Sequence, residues 1–228
     1  MLRGAADARG VAIVIDVLRA FSCAALMFRY GIADLVLVRS PEEALAYREG
    51  HAGSLAAGEV KGEMVKGFDL GNSPRDIVEK GPAFFRGRTV ALRSSAGTQG
   101  ALEASATADR IVLGSYMTAA ATARYIQGAG SPGATATIVA MGFEGVETSV
   151  EDERCGDYLE HLLTGSPYDH VAALWECMHE ASIAKSLNGD HPYRCREDII
   201  LALQRDVFDF AMVGGLTNGH VRVTRVDA

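Results

Sequence analysis

The chain has few of the residues that mark several common classes of protein. Its 228 residues include only four cysteines, and no two stand as C-x-x-C, so the sequence predicts neither a disulfide framework nor a zinc site. No apolar run approaches the roughly 20 residues that cross a bilayer. Residues 1–10 carry charges instead of the apolar core of a signal peptide. We therefore expect a cytoplasmic protein with reduced thiols and no membrane partner.

Positive charge is also scarce. The chain has 22 Lys and Arg against 29 Asp and Glu, a net charge of −7, whereas nucleic-acid-binding domains normally present a basic face. We therefore expect no nucleic-acid partner. The hydrophobic fraction of 48% is enough for a substantial core, and the length predicts one domain over residues 1–228. The sequence leaves open whether the protein forms a homo-oligomer through its helical C-terminal third.

What the sequence does contain is a regular alternation of apolar runs and helical stretches. Strands are predicted at 11–15, 33–38, 54–57, 89–92, 111–113 and 135–141, with helices between most of them. Three helices are then expected at 151–163, 168–180 and 196–204. Two strands follow at 206–213 and 220–226, and we expect them to be antiparallel edge strands. The pattern indicates an α/β fold with helices on both faces of a mixed sheet.

The first strand ends in a carboxylate and, three residues later, a guanidinium. Asp16 and Arg19 follow an apolar run and precede an almost wholly apolar helix. Ligands of open α/β sheets bind beyond the carboxyl ends of the strands. A carboxylate suits a hard cation, and an arginine suits a phosphate. A buried Asp16–Arg19 pair, or Asp16 as the cap of the first helix, would explain the same residues structurally.

Polar residues also follow the other predicted strands. If these strands end at one edge of a parallel sheet, their polar ends share one cleft. The set comprises Glu59, Ser94, Ser95, Gly97, Thr98 and Glu144. The Ser/Gly/Thr loop precedes a helix and resembles an anion site made of backbone N–H groups and hydroxyls. An ordinary polar loop is the plainer explanation.

Two further segments carry acids. Glu151 and Asp152 open a helix, where acids stabilise the helix dipole, and one of them is a candidate metal ligand if it faces the cleft. Asp69 and Asn72 lie in a loop of turn-forming residues and would supply oxygen ligands if that loop reaches the site.

The motifs together resemble those of the ComB-type 2-phosphosulfolactate phosphatases, nearly from end to end. They are Val14-Ile-Asp-Val-Leu-Arg-Ala20, Gly67-Phe-Asp-Leu-Gly-Asn-Ser-Pro74, the 94–98 loop and Ser149-Val-Glu-Asp-Glu-Arg-Cys-Gly156. The resemblance implies a three-layer α/β/α fold with a mixed, largely parallel sheet. It implies Mg²⁺-dependent hydrolysis of 2-phospho-3-sulfolactate to 3-sulfolactate and phosphate, a step towards coenzyme M. It places Asp16, Arg19, Gly71, Asn72, Glu151 and Asp152 in family motifs without giving each a role.

Three positions depart from the family pattern. Ala96 stands where an asparagine is usual, Val60 where an arginine is common, and Phe21 where a threonine is usual. These changes touch expected anion-binding positions. They leave open two other functions: a phosphatase that acts on another small phospho-acid, or a protein that binds a small anion without catalysis.

The expected mechanism is Mg²⁺-assisted hydrolysis of a small anionic phosphomonoester. The catalytic candidates are Asp16, as the first choice of metal ligand, and Arg19. The further metal candidates are Glu151, Asp152, Glu59 and Asp69, and the phosphate-binding candidates are Arg19, Ser94, Ser95, Gly97, Thr98 and Asn72. Attack by water is favoured over an aspartyl-phosphate on Asp16, since the D-x-D pair of aspartate-nucleophile phosphatases is absent. The candidate cations for a sulfonate are Arg75, Arg93 and Lys185.

Overall fold

The computed structural model describes residues 1–129 and 135–228, and these ranges contain nine strands, eleven helices and a short 3₁₀ turn. The strands are β1 (Val11–Ile15), β2 (Asp34–Leu37), β3 (Leu55–Val60), β4 (Glu63–Met64), β5 (Thr89–Arg93), β6 (Arg110–Gly114), β7 (Ala136–Ala140), β8 (Phe210–Thr217) and β9 (His220–Asp227). The helices are α1 (Leu2–Ala6), α2 (Ala20–Arg29), α3 (Pro41–Gly50), α4 (Pro74–Lys80), α5 (Pro82–Phe85), α6 (Gly97–Ala104), α7 (Ala119–Ala129), α8 (Val150–Thr164), α9 (His170–His179), α10 (Ala181–Leu187) and α11 (Arg196–Ala202).

All nine strands form one mixed sheet in the order β4-β3-β5-β2-β9-β8-β6-β1-β7. Two groups of three parallel strands, β3-β5-β2 and β6-β1-β7, flank the β8–β9 hairpin. The hairpin is antiparallel to its neighbour on each side. Helices cover both faces, so the three-layer α/β/α fold with a mixed, largely parallel sheet is confirmed.

The position of the C-terminal hairpin corrects one expectation. The last two strands lie in the middle of the sheet, not at its edge, because both sides of the hairpin find an unpaired strand of a parallel group. Three successive antiparallel pairings therefore make the two parallel groups run in opposite directions. The polar strand ends do not share one edge of a parallel sheet.

Helices α2 and α6 pack against strands of both parallel groups on one face of the sheet. Side chains from strands far apart in the sheet, such as Val14 on β1 and Leu92 on β5, join one buried cluster with these two helices. On the opposite face, Ile13 and Ile15 of β1 pack with Cys155 of α8, in a cluster that also contains residues of α7 and α11. Helix α3 covers the other parallel group on that same face.

Local signals explain several boundaries. Ser40 accepts a hydrogen bond from the backbone N–H of Glu43, and Pro41 opens α3, a combination typical of a helix start. The Glu43 carboxylate accepts the N–H of Arg39 at 2.8 Å, one residue before the cap. Helix α8 has no such side-chain cap, because the hydroxyl of Ser149, the residue before it, makes no hydrogen bond with the described residues.

Other boundaries differ from the sequence expectation. The predicted helix 168–180 stops at His179, and Glu180 caps a separate helix, α10, by accepting the backbone N–H groups of Ser182 and Ile183. Strand β8 runs through Gly214 and Gly215, so the hairpin turns at Asn218-Gly219, both with positive φ. Within residues 1–129 and 135–228, the helices all fall short of the length and apolar character that a membrane crossing needs.

Candidate active site

Asp16 stands directly after β1 and is held in one orientation by two helix N-termini. Its Oδ1 accepts the backbone N–H of Ala20, the first residue of α2, at 3.0 Å. Its Oδ2 accepts the backbone N–H of Gly97, the first residue of α6, at 2.8 Å. The carboxylate is thus a partial cap for two helices, and it does not pair with Arg19.

Burial sets the acid strength of Asp16. The side chain is 6% exposed, and loss of water raises its pKa to about 6. The two backbone hydrogen bonds oppose that shift, the nearby Glu59 carboxylate adds to it, and Arg19 opposes it weakly. A cation beside Asp16 would favour its ionised form.

Glu59, at the end of β3, forms a second fixed carboxylate on the same side of the site. Its Oε1 accepts the backbone N–H of Ser95, and its Oε2 accepts the N–H of Gly62, each at 2.6 Å. The Ser95 hydroxyl also donates to Oε2 at 3.1 Å. Arg93 donates to the Glu59 carbonyl and to the Ser95 hydroxyl, so it supports this corner instead of facing a ligand.

Arg19 is held by an acid that the sequence analysis did not identify. Its Nη1 lies 3.3 Å from Oδ2 of Asp198 on α11, a carboxylate that is 1% exposed. The guanidinium also donates to the carbonyl oxygens of Tyr193 and Gly62. Arg19 therefore links the first strand end to the α10–α11 loop, and its Nε–H and second Nη2–H have no partner among the described residues.

These residues line one cleft with a volume of 250 Å³. Of the predicted site residues, it contains Asp16, Arg19, Glu59, Asn72 and Ser95. Glu144 from the loop after β7 lines it as well, beside the exposed Phe143. The structure thus brings together part of the predicted set from several separate segments of the chain.

The rest of the Ser/Gly/Thr loop lies outside the cleft lining. Ser94 and Thr98 are fully buried and hydrogen bond to each other: the Ser94 N–H donates to Thr98 Oγ1 at 2.8 Å, and the Thr98 N–H to Ser94 Oγ at 2.9 Å. The Gly97 N–H is used by Asp16. A Cβ at Gly97 would lie 2.5 Å from Asp16 Oδ2, which explains the glycine. The loop therefore shapes and positions Asp16, and its contribution to the cleft comes from Ser95 and Ala96.

The other candidate metal ligands also lie outside the lining. Asp152 accepts the backbone N–H of Val17 with Oδ1 and that of Gly142 with Oδ2, each at 2.8 Å, so it ties α8 to two loops. Glu151 is buried, and loss of water raises its pKa. Asp69 accepts the Ala56 N–H and pairs with Arg48 at 3.3 Å.

The cleft nevertheless holds oxygen atoms suited to a hard cation. Asp16 and Glu59 contribute carboxylates, and the buried Oδ1 of Asn72 has no hydrogen-bond partner in the part of the chain that the structure describes. No three His, Cys, Asp or Glu side chains of residues 1–129 and 135–228 form a ready-made cage. Mg²⁺ fits such a site, since it is usually held by one or two carboxylates plus waters and substrate phosphate.

The structure adds basic residues that the sequence analysis missed. Lys61, His191 and Arg194 line the cleft, the last two on the irregular loop between α10 and α11. The run Gly189-Asp-His-Pro-Tyr-Arg194, rich in turn-forming and charged residues between two helices, was the available signal. The predicted sulfonate cations lie elsewhere: Arg75 pairs with Asp76, and neither Arg93 nor Lys185 lines the cleft.

The structure also places the three departures from the family pattern. Phe21 is fully buried, and its ring lies against Gly97, so it is a core residue behind the cleft. Val60 does not line the cleft, but its neighbour Lys61 does. Ala96 lines the cleft and is 8% exposed, so the missing asparagine leaves only a methyl group at that point.

Comparison with known proteins places the chain in a family. The family model described as 2-phosphosulpholactate phosphatase matches residues 2–215. A probable 2-phosphosulfolactate phosphatase of Caldanaerobacter subterraneus is 33% identical over 226 residues, which cover 93% of this chain and 90% of the relative. One from Bacillus subtilis is 28% identical over 201 residues, covering 88% and 85%.

A third relative matches over a shorter stretch. The probable 2-phosphosulfolactate phosphatase of Deinococcus radiodurans is 44% identical over 115 residues, so the match spans 50% of this chain and 47% of that relative. The family model covers β1 with Asp16, the 94–98 loop and the start of α8. The chain therefore belongs to the 2-phosphosulpholactate phosphatase family, a family of phosphoric monoester hydrolases.

Proposed function

We propose that this protein hydrolyses 2-phospho-3-sulfolactate to 3-sulfolactate and phosphate with the help of Mg²⁺. One observation carries the proposal: two fixed carboxylates, Asp16 and Glu59, share a small cleft with the amide oxygen of Asn72, which no described residue hydrogen bonds. Family membership supports the choice of substrate. A cytoplasmic location and a place in coenzyme M synthesis stay predictions.

Asp16, Glu59 and Asn72 are the residues that would hold Mg²⁺. Their oxygens leave room for waters and for the substrate phosphate, which is the usual way that proteins bind this ion. When bound, Mg²⁺ supplies a Lewis acid that draws charge from the phosphoryl oxygens. The backbone N–H groups of Ala20, Gly97 and Ser95 hold the two carboxylates in place beforehand, so little reorganisation is needed.

Arg19 is placed to stabilise the phosphoryl group in the transition state. Its guanidinium is fixed by Asp198 and by two carbonyl oxygens, and two N–H donors remain for a ligand in the cleft. A rigid donor aimed at developing negative charge lowers the barrier without having to move. Arg19 therefore binds and orients the phosphate instead of transferring a proton.

We favour water over Asp16 as the nucleophile. Each Asp16 oxygen already accepts a backbone N–H, which fixes the carboxylate and reduces its electron density. A reaction quenched in acid during turnover should therefore contain no phosphorylated protein. Radiolabelled phosphate retained by the wild type, and absent from Asp16→Asn, would reverse this choice.

Phosphate release tests the proposed function. With purified protein and Mg²⁺, we expect release from 2-phospho-3-sulfolactate, and none when a chelator replaces the metal. Asp16→Asn should lower kcat/KM by roughly two to three orders of magnitude, because it removes one fixed charge from the site. Asp69→Asn is the matched control, since Asp69 lies outside the cleft lining, and it should keep wild-type activity.

Other substrates define what would contradict the proposal. Phospholactate and phosphoglycolate should be hydrolysed with lower kcat/KM than 2-phospho-3-sulfolactate. A reversed order would make the protein a phosphatase of another small phospho-acid. Metal-independent binding of inorganic phosphate without hydrolysis of any of these compounds would indicate an anion-binding protein and exclude the proposed activity.

A further inference from the structure

The cleft has two chemically different walls. The wall formed by the ends of β1 and β3 carries Asp16 and Glu59, whose negative charges suit a metal-bound phosphate and repel any other acid. The α10–α11 loop, which carries His191 and Arg194, also lines the cleft and is here called the second wall. Arg19 lies between the walls, because its guanidinium donates to Tyr193 of the loop and to Gly62 beside Glu59.

Arg194 differs from Arg19 in lacking a carboxylate partner. Among the described residues, no Asp or Glu oxygen lies within 4.0 Å of its guanidinium, and Glu151, Glu180 and Asp198 act on it only from farther away. Burial lowers the pKa of Arg194, so the charge is costly to keep without a counter-ion. A half-buried guanidinium in a cleft, with no acid beside it, is a site ready for an anion.

The guanidinium is also fixed before any ligand arrives. Its Nε donates to Ser186 Oγ at 2.8 Å, and one Nη donates to Ser182 Oγ, both on α10. These neutral partners fix its direction without neutralising its charge, so little side-chain entropy is lost on binding. Lys61 also lacks a carboxylate partner among the described residues, but it is exposed and has no comparable support.

His191 adds a neutral donor beside this charge. Its Nδ1 accepts the backbone N–H of Tyr193 at 3.3 Å, which leaves Nε2 to carry the proton. Burial and the neighbouring cations Arg194, Arg19 and Lys185 lower its pKa, so the ring is neutral at pH 7. The loop therefore presents one fixed positive charge and one neutral N–H.

We propose that Arg194, assisted by His191, forms a second anion subsite that binds the sulfonate of the substrate while the phosphate lies at Asp16 and Glu59. This inference rests on the proposed function, which supplies the identity of the substrate. Arg194 is then a specificity-determining residue. A substrate with only a phosphoryl group would bind at the first wall alone, whereas a substrate that also carries a sulfonate would bind at both walls.

Binding of two simple probes tests the subsite without any turnover. We expect 3-sulfolactate, which has no phosphate, to bind the wild type in calorimetry, and Arg194→Met to weaken that binding at least about tenfold, because a charge-assisted hydrogen bond is lost. With Mg²⁺ present in every titration, inorganic phosphate should bind wild type and variant with dissociation constants within about twofold, since it binds at the metal site of the first wall. Arg194→Lys should restore part of the sulfolactate affinity.

Controls separate this inference from folding and from the proposed function. Arg196→Met, an exposed arginine two residues along that does not line the cleft, should bind both probes as the wild type does. Equal weakening of both probes by Arg194→Met, or no weakening of either, would overturn the subsite, as would a wild type that does not bind 3-sulfolactate. Failure of the proposed function shows separately, as no phosphate release by the wild type.

Discussion

At the scale of single residues, some buried acids of this protein line the cleft, and others hold secondary-structure elements together. Asp16 and Glu59 line the cleft. Asp152 is 3% exposed, and its two oxygens accept hydrogen bonds from the backbone N–H groups of Val17 and Gly142. Loss of water raises the pKa of Asp152 well above its ordinary value of 3.8, and the charges of Glu151 and Asp16 add to the shift. Asp152 therefore joins α8 to the strand ends at an electrostatic cost.

The raised pKa predicts how Asp152 changes stability with pH. An acid that holds its proton more tightly in the folded than in the unfolded state lowers the free energy of unfolding as pH rises above its unfolded pKa. Asp152→Asn removes this dependence. In urea denaturation with a chelator present, the stability of Asp152→Asn relative to wild type should therefore improve as the pH rises above about 4, and it should level off once Asp152 is ionised in the folded state as well.

The variant also carries a constant cost. The amide nitrogen of the new asparagine would face a backbone N–H donor, so at low pH Asp152→Asn should be less stable than wild type by about 1 kcal/mol. Glu153→Gln is the matched control, because Glu153 is the next residue and is exposed. It should follow the wild-type pH dependence. An identical pH dependence of wild type and Asp152→Asn would contradict the assigned cause.

At the scale of elements, the β8–β9 hairpin connects the two halves of the sheet. β8 pairs with β6, β9 pairs with β2, and the two strands pair with each other over eight residues. The apolar run that ends at Val213 predicted the first of these strands from the sequence. It did not predict the central position, because period and composition do not say which neighbours a strand will meet.

The central position predicts a large cost for a core substitution in the hairpin. Met212 on β8 is fully buried and belongs to the main core cluster. Met212→Ala should lower the free energy of unfolding by about 2–5 kcal/mol, because it leaves a cavity between sheet and helices. Leu216→Ala, on the same strand but 72% exposed, should change it by less than about 0.5 kcal/mol. Similar small losses in both variants would indicate a loosely attached hairpin.

At the scale of the whole molecule, the cleft depends on residues from both ends of the chain. Asp198 on α11 accepts hydrogen bonds from the Ser73 hydroxyl at 2.7 Å, from the Arg75 N–H at 3.1 Å, and from Arg19 at 3.3 Å. One buried carboxylate thus joins the first strand end, the start of α4 and the C-terminal helices. The α10–α11 loop with Arg194 is held over the cleft by the same network.

Breaking this network should damage stability and activity together. Asp198→Asn leaves the buried guanidinium of Arg19 without its ionic partner, so the free energy of unfolding should fall by about 3 kcal/mol. Phosphate release should fall as well, because Arg19 loses its fixed orientation. Glu197→Gln, an exposed neighbour on the same helix, should be near wild type in both measurements. Unchanged thermal and urea denaturation of Asp198→Asn would show that the helices are held by packing alone.

The sequence by itself determined the elements and the first half of the site. Period and capping residues marked most strands and helices, and a charge placed directly after a buried strand identified Asp16 and Arg19. Only the tertiary structure decided the central hairpin, the pairing of Arg19 with Asp198, the buried positions of Ser94 and Thr98, and the presence of Arg194 in the cleft. These features depend on contacts between residues far apart in the chain, or on the direction in which a side chain points. Local sequence patterns predict neither of the two.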